Sequence, residues 1–356
     1  MPHPQTHPAG TSGDLSEAIG NTPLIKLRHA SARTGCEILA KAEFMNPGGS
    51  VKDRAALAMI EDATTRGIVE PGGIVVEATG GNTGIGLAMV GNARGFETVL
   101  VIPDTRSREK VDELRALGTT VYMVPEVHHD DPNHYKKVAQ RLARALEHQS
   151  RHGVLWANQF ANRANPQGHF ETTGPEIWEQ TDGAVDAFIC SVGTGGTLAG
   201  VSRFLRSQSP DVTIGLADPV GSAMYCHYTS GTLEYHGNSI FEGIGPRYLP
   251  KNLEDTHVDF AVQVEDEEAL AELYHLAQKE GMAMGGSSGV NVAGAIRLAE
   301  VLGRGHTIVT VLCDSASRYS SKLLDPSFFQ SRGLKPPPHM QAPKDVQIEI
   351  EQLLET

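Results

Sequence analysis

The chain has 356 residues, and at roughly one domain per 150 residues it is expected to fold as two domains sharing one body. Hydrophobic side chains make up 40% and charged ones 21%, which is ordinary globular usage and leaves general disorder without support. Acidic residues outnumber basic ones by 43 to 30, a net charge of −13. That balance argues against the basic face a nucleic-acid binder presents to phosphates, and against an anionic membrane surface as partner. Residues 1–13 are rich in Pro, His, Thr and Gly without a basic start followed by an apolar core, so they read as a flexible lead-in and not a secretory signal. Strands are predicted at 23–27 and 38–42, and pattern alone assigns this pair to neither lobe.

From residue 51 to residue 312, short β-branched runs alternate with longer amphipathic ones, the pattern of parallel α/β construction. Strands are predicted at 74–78, 98–102, 120–124, 187–190, 213–217 and 307–312. Helices are predicted at 51–66, 107–117, 135–148, 267–279 and 290–302, where apolar residues recur at three and four spacing. The turn-rich stretch 158–168 separates the earlier strands from the later ones, which predicts two three-layer α/β/α lobes with mostly parallel sheets. After Leu324 the chain becomes rich in Pro and Gln, including Pro336, Pro337 and Pro338, with one short helix predicted at 346–354. This tail is too small for a third domain. No stretch approaches the ~18 to 20 apolar residues of a membrane helix.

Cys36, Cys190, Cys226 and Cys313 lie far apart, without a CxxC pair or zinc-ligand spacing, so they read as free thiols in a reducing cytoplasm. Cys190 and Cys313 fall in predicted buried strands and read as core residues. His128, His129, Asp130 and Asp131 invite a metal reading. Adjacent ligands on one loop seldom close a site without distant partners, so a solvated loop is the better reading and no metal is expected.

The 38 glycines exceed average usage of about 7% and cluster in four turns where a strand hands over to a helix: 47–50, 80–84, 193–197 and 285–289. Amides at such a helix start point at an anion, and the helix dipole adds to the attraction. In open α/β sheets that edge is where ligands sit, so four such turns point to one polar crevice. In the run Gly193, Thr194, Gly195, Gly196, Thr197, three glycines permit close backbone approach and two hydroxyls add donors. Both the P-loop spacing and the dinucleotide pattern GxGxxG fail here, since Leu198 stands where the last glycine belongs. A fixed phosphate and a plain tight turn both remain open. Lys52 follows the first turn, where the positive end of a helix dipole disfavours an ammonium. A neutral or Schiff-base lysine avoids that cost, as imine chemistry requires; a solvated surface lysine is the alternative.

The segments NPGGSVKDR at 46–54, TGGNTGIGLA at 79–88, GTGGTLAG at 193–200 and GGSSG at 285–289 together resemble the cysteine synthase and cystathionine β-synthase family. These are pyridoxal 5′-phosphate (PLP) enzymes of the tryptophan synthase β fold, fold type II, with the active site in the cleft between two lobes. The resemblance spans roughly residues 15–325. It implies a smaller lobe at 46–159, a larger PLP-binding lobe at 14–45 plus 160–325, and a tail at 326–356. It further implies that Lys52 holds PLP and shuttles the Cα proton, and that Gly193, Thr194, Gly195, Gly196 and Thr197 cradle the phosphate. Asn82 would bond the ring hydroxyl and Ser287 would face the pyridine nitrogen. Thr79, Gly80, Gly81, Asn82 and Thr83 would close on the substrate carboxylate with Gln159, and the loop Glu242, Gly243, Ile244, Gly245 would line the entrance.

The activity so implied is β-replacement: L-cysteine from O-acetyl-L-serine and sulfide through an aminoacrylate. Cystathionine formation from serine and homocysteine, cysteine desulfhydration, and an inert PLP-binding regulator are the rivals; the failed glycine pattern disfavours a nicotinamide dehydrogenase. A homodimer, a cytoplasmic location and binding of a serine acetyltransferase tail are implied by the same resemblance. The chain departs from the family at Gly80, where serine is usual, so a hydroxyl near the substrate is missing. Cys313, Asp314 and Ser315 look more like the cystathionine synthase version, and are expected to support Ser287 or to cap a helix.

Overall fold

A computed structural model describes residues 12–105, 108–128 and 130–335. The lead-in up to residue 11, His129, the prolines 336–338 and the helix expected at 346–354 lie outside the described residues. Among the described residues ten strands form two sheets. They are β1 (Leu24–Lys26), β2 (Glu37–Ala42), β3 (Ile74–Glu77), β4 (Glu97–Pro103), β5 (Thr120–Val124), β6 (Val154–Trp156), β7 (Ala187–Cys190), β8 (Thr213–Pro219), β9 (Phe260–Val264) and β10 (Thr307–Leu312).

The six-stranded sheet runs β1-β2-β10-β7-β8-β9 and the four-stranded sheet runs β5-β4-β3-β6. Every pairing is parallel except β1 on β2. The central strands β7, β8 and β10 are buried almost throughout, as parallel strands covered by helices on both faces must be. The edge strand β5 is largely exposed. The early pair β1 and β2 joins the six-stranded sheet, with Ile38 opposite Ile308.

Two neighbour relations place the ligand side. In the small sheet β3 lies beside β6, with Val76 opposite Trp156, so the segments leaving their C-terminal ends, 79–83 and 158–160, are adjacent. In the large sheet β7 lies beside β10, which brings the segment after Cys190 beside Cys313 and Asp314. Four helices start from these edges and their surroundings: Lys52–Thr65, Asn82–Arg94, Gly196–Gln208 and Gly286–Leu302.

The expected elements recur with small shifts. The bounds of β5, β7 and β10 match the pattern, the first long helix opens at Lys52 instead of 51, and the last opens at Gly286 instead of 290. Strands β6 and β9 and the helices Ala164–Glu171 and Thr173–Gln180 carry too short a periodic signal to stand out in the sequence. Behind the helix bearing Lys52, buried Arg54 bonds Glu43 at 2.8 Å and Glu176 at 2.7 Å, and fully buried Lys41 reaches Glu176 at 2.6 Å. This paired charge cluster fixes the helix against β2. Among the described residues no helix is long and apolar enough to cross a membrane.

Candidate active site

The cleft between the two sheets is lined by Lys52, the loop 79–83, Gln159, Gly193, Thr194, Gly195, Thr197, Gly243 and Ser287. One site therefore gathers almost every residue singled out in the sequence. Gly196 does not line it; it lies behind the loop, where an added Cβ would stand 1.9 Å from Asn165 Oδ1. Ser50 Oγ accepts the Lys52 N–H at 3.2 Å and Thr194 Oγ1 the Gly196 N–H at 3.4 Å, whereas the starts of Asn82–Arg94 and Gly286–Leu302 have no side-chain cap and offer first-turn amides to an anion in the cleft.

The loop before Gly196–Gln208 is built to let a ligand touch the main chain. Gly195 adopts φ +85, a left-handed conformation that favours glycine. A Cβ on Gly193 would meet the Gly243 carbonyl at 2.2 Å, so the entrance loop packs directly on the cradle. Thr197 Oγ1 lies 3.2 Å from His169 Nε2, whose Nδ1 lies 2.8 Å from Thr173 Oγ1. Burial, reinforced by nearby Arg54, pushes the His169 pKa down to about 3, so a neutral ring sits behind the cradle. Beside Lys52, Asp53 accepts the Gly48 N–H at 2.6 Å and fixes the turn before the helix. Burial raises its carboxyl to about 7.

Asn82 is held at both ends of its amide. Its Nδ2 donates to Asp314 Oδ2 at 2.7 Å and its Oδ1 accepts from Arg318 at 2.8 Å. Asp314 Oδ2 also accepts from Tyr319 at 2.7 Å, and Arg318 reaches the Gly48 carbonyl and Glu113. Of the stretch expected to support Ser287 or to cap a helix, Cys313 hydrogen-bonds Ser287, Ser315 caps, accepting from Ser317 N–H, and Asp314 braces Asn82. Cys313 lies one residue beyond β10, not within it, and both it and Cys190 face the cleft. Burial pushes the Cys313 thiol up to about 11 and Cys190 higher still, which leaves both protonated and poor nucleophiles at neutral pH. His128 Nδ1 is 3.4 Å from Asp130 Oδ2 and both are exposed. Among the described residues no group of three His, Cys, Asp or Glu is placed to hold a metal.

A family model described as pyridoxal-phosphate dependent enzyme matches residues 15–314. The chain belongs to this family. It is 48% identical to cysteine synthase 1 of Emericella nidulans over 92% of this chain and 88% of that protein. It is 38% identical to the O-acetylserine dependent cystathionine beta-synthase of Bacillus subtilis, over 87% of this chain and 96% of that protein. Among solved structures, O-ureido-L-serine synthase superposes with a TM-score of 0.79 at 34% identity, covering 88% of this chain and 95% of that one.

The residues of the cleft fit the family's cofactor. An amine, Lys52, stands in the same cleft as a glycine cradle whose crowding excludes side chains and leaves main-chain donors for a phosphate. The hydroxyl of Ser287, 8% exposed, opens the helix Gly286–Leu302 and can meet a ring nitrogen without placing a charge beside it.

Four residues of this site carried no signal in the sequence reading: Glu77, Asn165, Asn252 and Arg318. Apart from the Ala78 N–H beside Glu77, their partners lie from 6 to 270 positions away, and an isolated Asn or Glu in a polar segment has no periodicity to mark it.

Proposed function

We propose that this chain makes L-cysteine from O-acetyl-L-serine and sulfide with PLP as cofactor. The observation that carries the reading is the cleft itself: a lysine amine, an amide-rich phosphate cradle and an uncapped helix start for a carboxylate, in a chain 48% identical to a cysteine synthase. Bound PLP supplies an electron sink that acidifies the substrate Cα–H and lets the β-substituent depart. Lys52 Nζ holds the cofactor, takes the Cα proton and returns it after sulfide has added at Cβ. Gly193, Thr194, Gly195 and Thr197 would hold the phosphate, with Gly196 backing the cradle against Asn165. Asn82 Nδ2, which donates one hydrogen to Asp314, would have its second hydrogen left for the ring hydroxyl. Thr79, Gly80, Gly81, Asn82, Thr83 and Gln159 receive the substrate carboxylate, and Gly243 forms the rim.

Acetate leaves as a stable anion and needs no proton, whereas serine must expel hydroxide and needs an acid. The hydroxyls and thiols nearest the cleft are poor acids here: burial raises Cys190 and Cys313, and the Tyr319 proton is engaged by Asp314. This favours an O-acylated substrate. Cystathionine formation is the second reading, favoured by the likeness to an O-acetylserine dependent cystathionine beta-synthase; it differs in the thiol acceptor. The same reading includes lobes at 46–159 and at 14–45 plus 160–325, a homodimer, a cytoplasmic location, and a cleft open to the tail of serine acetyltransferase.

The test is a titration of the holoenzyme with O-acetyl-L-serine in the absence of sulfide, followed by visible absorption. The band is expected to shift with release of one acetate, and sulfide to restore it with release of one cysteine. A shift with serine but none with O-acetyl-L-serine overturns the reading; restoration by homocysteine but not by sulfide replaces it with the second.

A further inference from the structure

Gln159 is held at every polar group of its main chain. Its N–H donates to Glu77 Oε2 at 3.0 Å. Its carbonyl accepts twice, from Asn165 Nδ2 and from Asn252 Nδ2, each at 2.8 Å. Its side-chain Oε1 accepts from Thr83 Oγ1 at 2.6 Å, which ties the amide to the 79–83 loop. Glu77 uses its other oxygen to accept the Ala78 N–H at 2.7 Å, at the entry to that same loop.

The two asparagines do more than hold Gln159. Each sends its second amide hydrogen to Thr194: Asn165 to the hydroxyl at 3.0 Å and Asn252 to the carbonyl at 2.9 Å. They come from separate elements, the helix Ala164–Glu171 and the single turn Lys251–Leu253, and they are 1% and 2% exposed. In both, the Oδ1 atom is buried without a hydrogen-bond partner. A buried unpaired carbonyl is a cost, and a smaller or apolar side chain would avoid it. What asparagine alone offers at this size is an NH2 group able to donate to two acceptors at once. The same use of both hydrogens at two independent positions marks the double donation as the feature the site needs.

We propose that Asn165 and Asn252 are positioning residues that lock Gln159 to Thr194, so that the carboxylate site and the phosphate cradle form one rigid unit, with Glu77 setting the Gln159 N–H. The inference rests on the proposed function, in which Gln159 meets the substrate carboxylate and Thr194 the cofactor phosphate. A displacement at either asparagine moves both ligands together, although neither side chain touches the reacting atoms.

The experiment uses Asn165→Asp and Asn252→Asp, which keep the shape and replace the double donor by an oxygen. In each, the O-acetyl-L-serine concentration for half-maximal spectral shift is expected to rise about tenfold or more, the scale of one lost hydrogen bond. KM follows it while kcat changes less than about threefold, as expected when ground-state and transition-state binding are lost equally. PLP is released faster on dialysis of the same variants. A lower melting temperature with both ligands bound as in the parent overturns the proposal, and so does weakening of one ligand alone. Gln159→Ala separates the two layers, because it keeps the main-chain groups the asparagines hold: it should weaken O-acetyl-L-serine and leave PLP retention unchanged. If it leaves the amino acid unaffected, the carboxylate assignment fails, not the lock. Should an aspartate variant not fold, Asn→Ser at the same position, which keeps a single donor, is read by the same two ligands.

Discussion

The two sheets meet along two seams of different character. At one, Gln159 and Thr194 are joined through buried Asn165 and Asn252, with neutral amides as donors. At the other, Asn82 of the small sheet's first helix meets Arg318 and Asp314 from beyond β10, and Arg318 also reaches Glu113, which is 40% exposed on its side chain. Hydrogen bonds in a dry, low-dielectric interior are strong and indifferent to salt. Charged contacts open to water are worth less and are screened. The dry Gln159–Thr194 seam is therefore the stiffer of the two, and the partly exposed Arg318–Glu113 contact makes the other, wet seam the weaker.

The largest effect should come from the reacting group between the seams. Lys52→Ala is expected to lower turnover roughly a thousandfold or more, the loss of a proton-transferring base, and to abolish the bound chromophore while the melting curve stays near that of the parent. Retained turnover would sink the mechanism.

Next come the glycines, which test whether the dry seam is as tight as its distances imply. Gly193→Ala drives a Cβ to 2.2 Å from the Gly243 carbonyl and Gly196→Ala to 1.9 Å from Asn165 Oδ1. Each should cost about 1–3 kcal/mol in urea unfolding, the usual range for overpacking, and reduce PLP retention. Gly81→Ala is the control: its nearest neighbour is Thr79 Oγ1 at 3.9 Å and its φ is −124, so stability should change by about 0.5 kcal/mol or less.

His169 offers a smaller, pH-dependent probe of the same seam. Its folded pKa of about 3 lies below the unfolded value of 6.5, so between these limits the folded chain binds fewer protons. Its contribution is full above the unfolded pKa and is lost as pH falls through this window. His169→Asn lacks the titration, so the stability gap between parent and variant should shrink by about 1.4 kcal/mol from pH 7.5 to 5.5. Asp53 and Asp218, both raised to about 7 by burial, titrate alike in the two proteins and cancel in the difference. A gap independent of pH would show that the ring is not held neutral.

What could be read from the sequence divides along the same line. The four glycine turns and Lys52 stand in short contiguous motifs, and backbone demands such as the left-handed Gly195 leave a mark that residue type reveals. The strands β7 and β10 are legible because buried parallel strands are continuous apolar runs, and the exposed edge strand β5 because it is rich in β-branched and aromatic residues. The seams are not. Asn165 and Asn252 sit in segments that read only as turn-rich boundary or loop, and Arg318 lies 236 positions from Asn82. The apolar run continues into Cys313 and makes it read as strand, whereas the pairing ends at Leu312. Nothing local distinguishes a buried amide that bridges two acceptors from a solvated one; only the topology that puts β3 beside β6 and β7 beside β10 does.

The smallest effect is expected at the wet seam, and it is the one that decides whether the seams differ in kind. Arg318 is 12% exposed on its side chain and bonds Asn82, the Gly48 carbonyl and Glu113. Arg318→Ala should destabilise by about 1 kcal/mol or less at low salt, as partly exposed ion pairs do. Raising sodium chloride to 1 M, where the screening length falls to about 3 Å, should remove much of that difference, while the loss in Asn165→Asp stays constant. Because the contact braces Asn82 against Asp314, the variant should also shift the visible band of bound PLP without changing its retention. A salt-independent loss of about 3 kcal/mol, the scale of a broken buried pair, would mean that the two seams do not differ in kind.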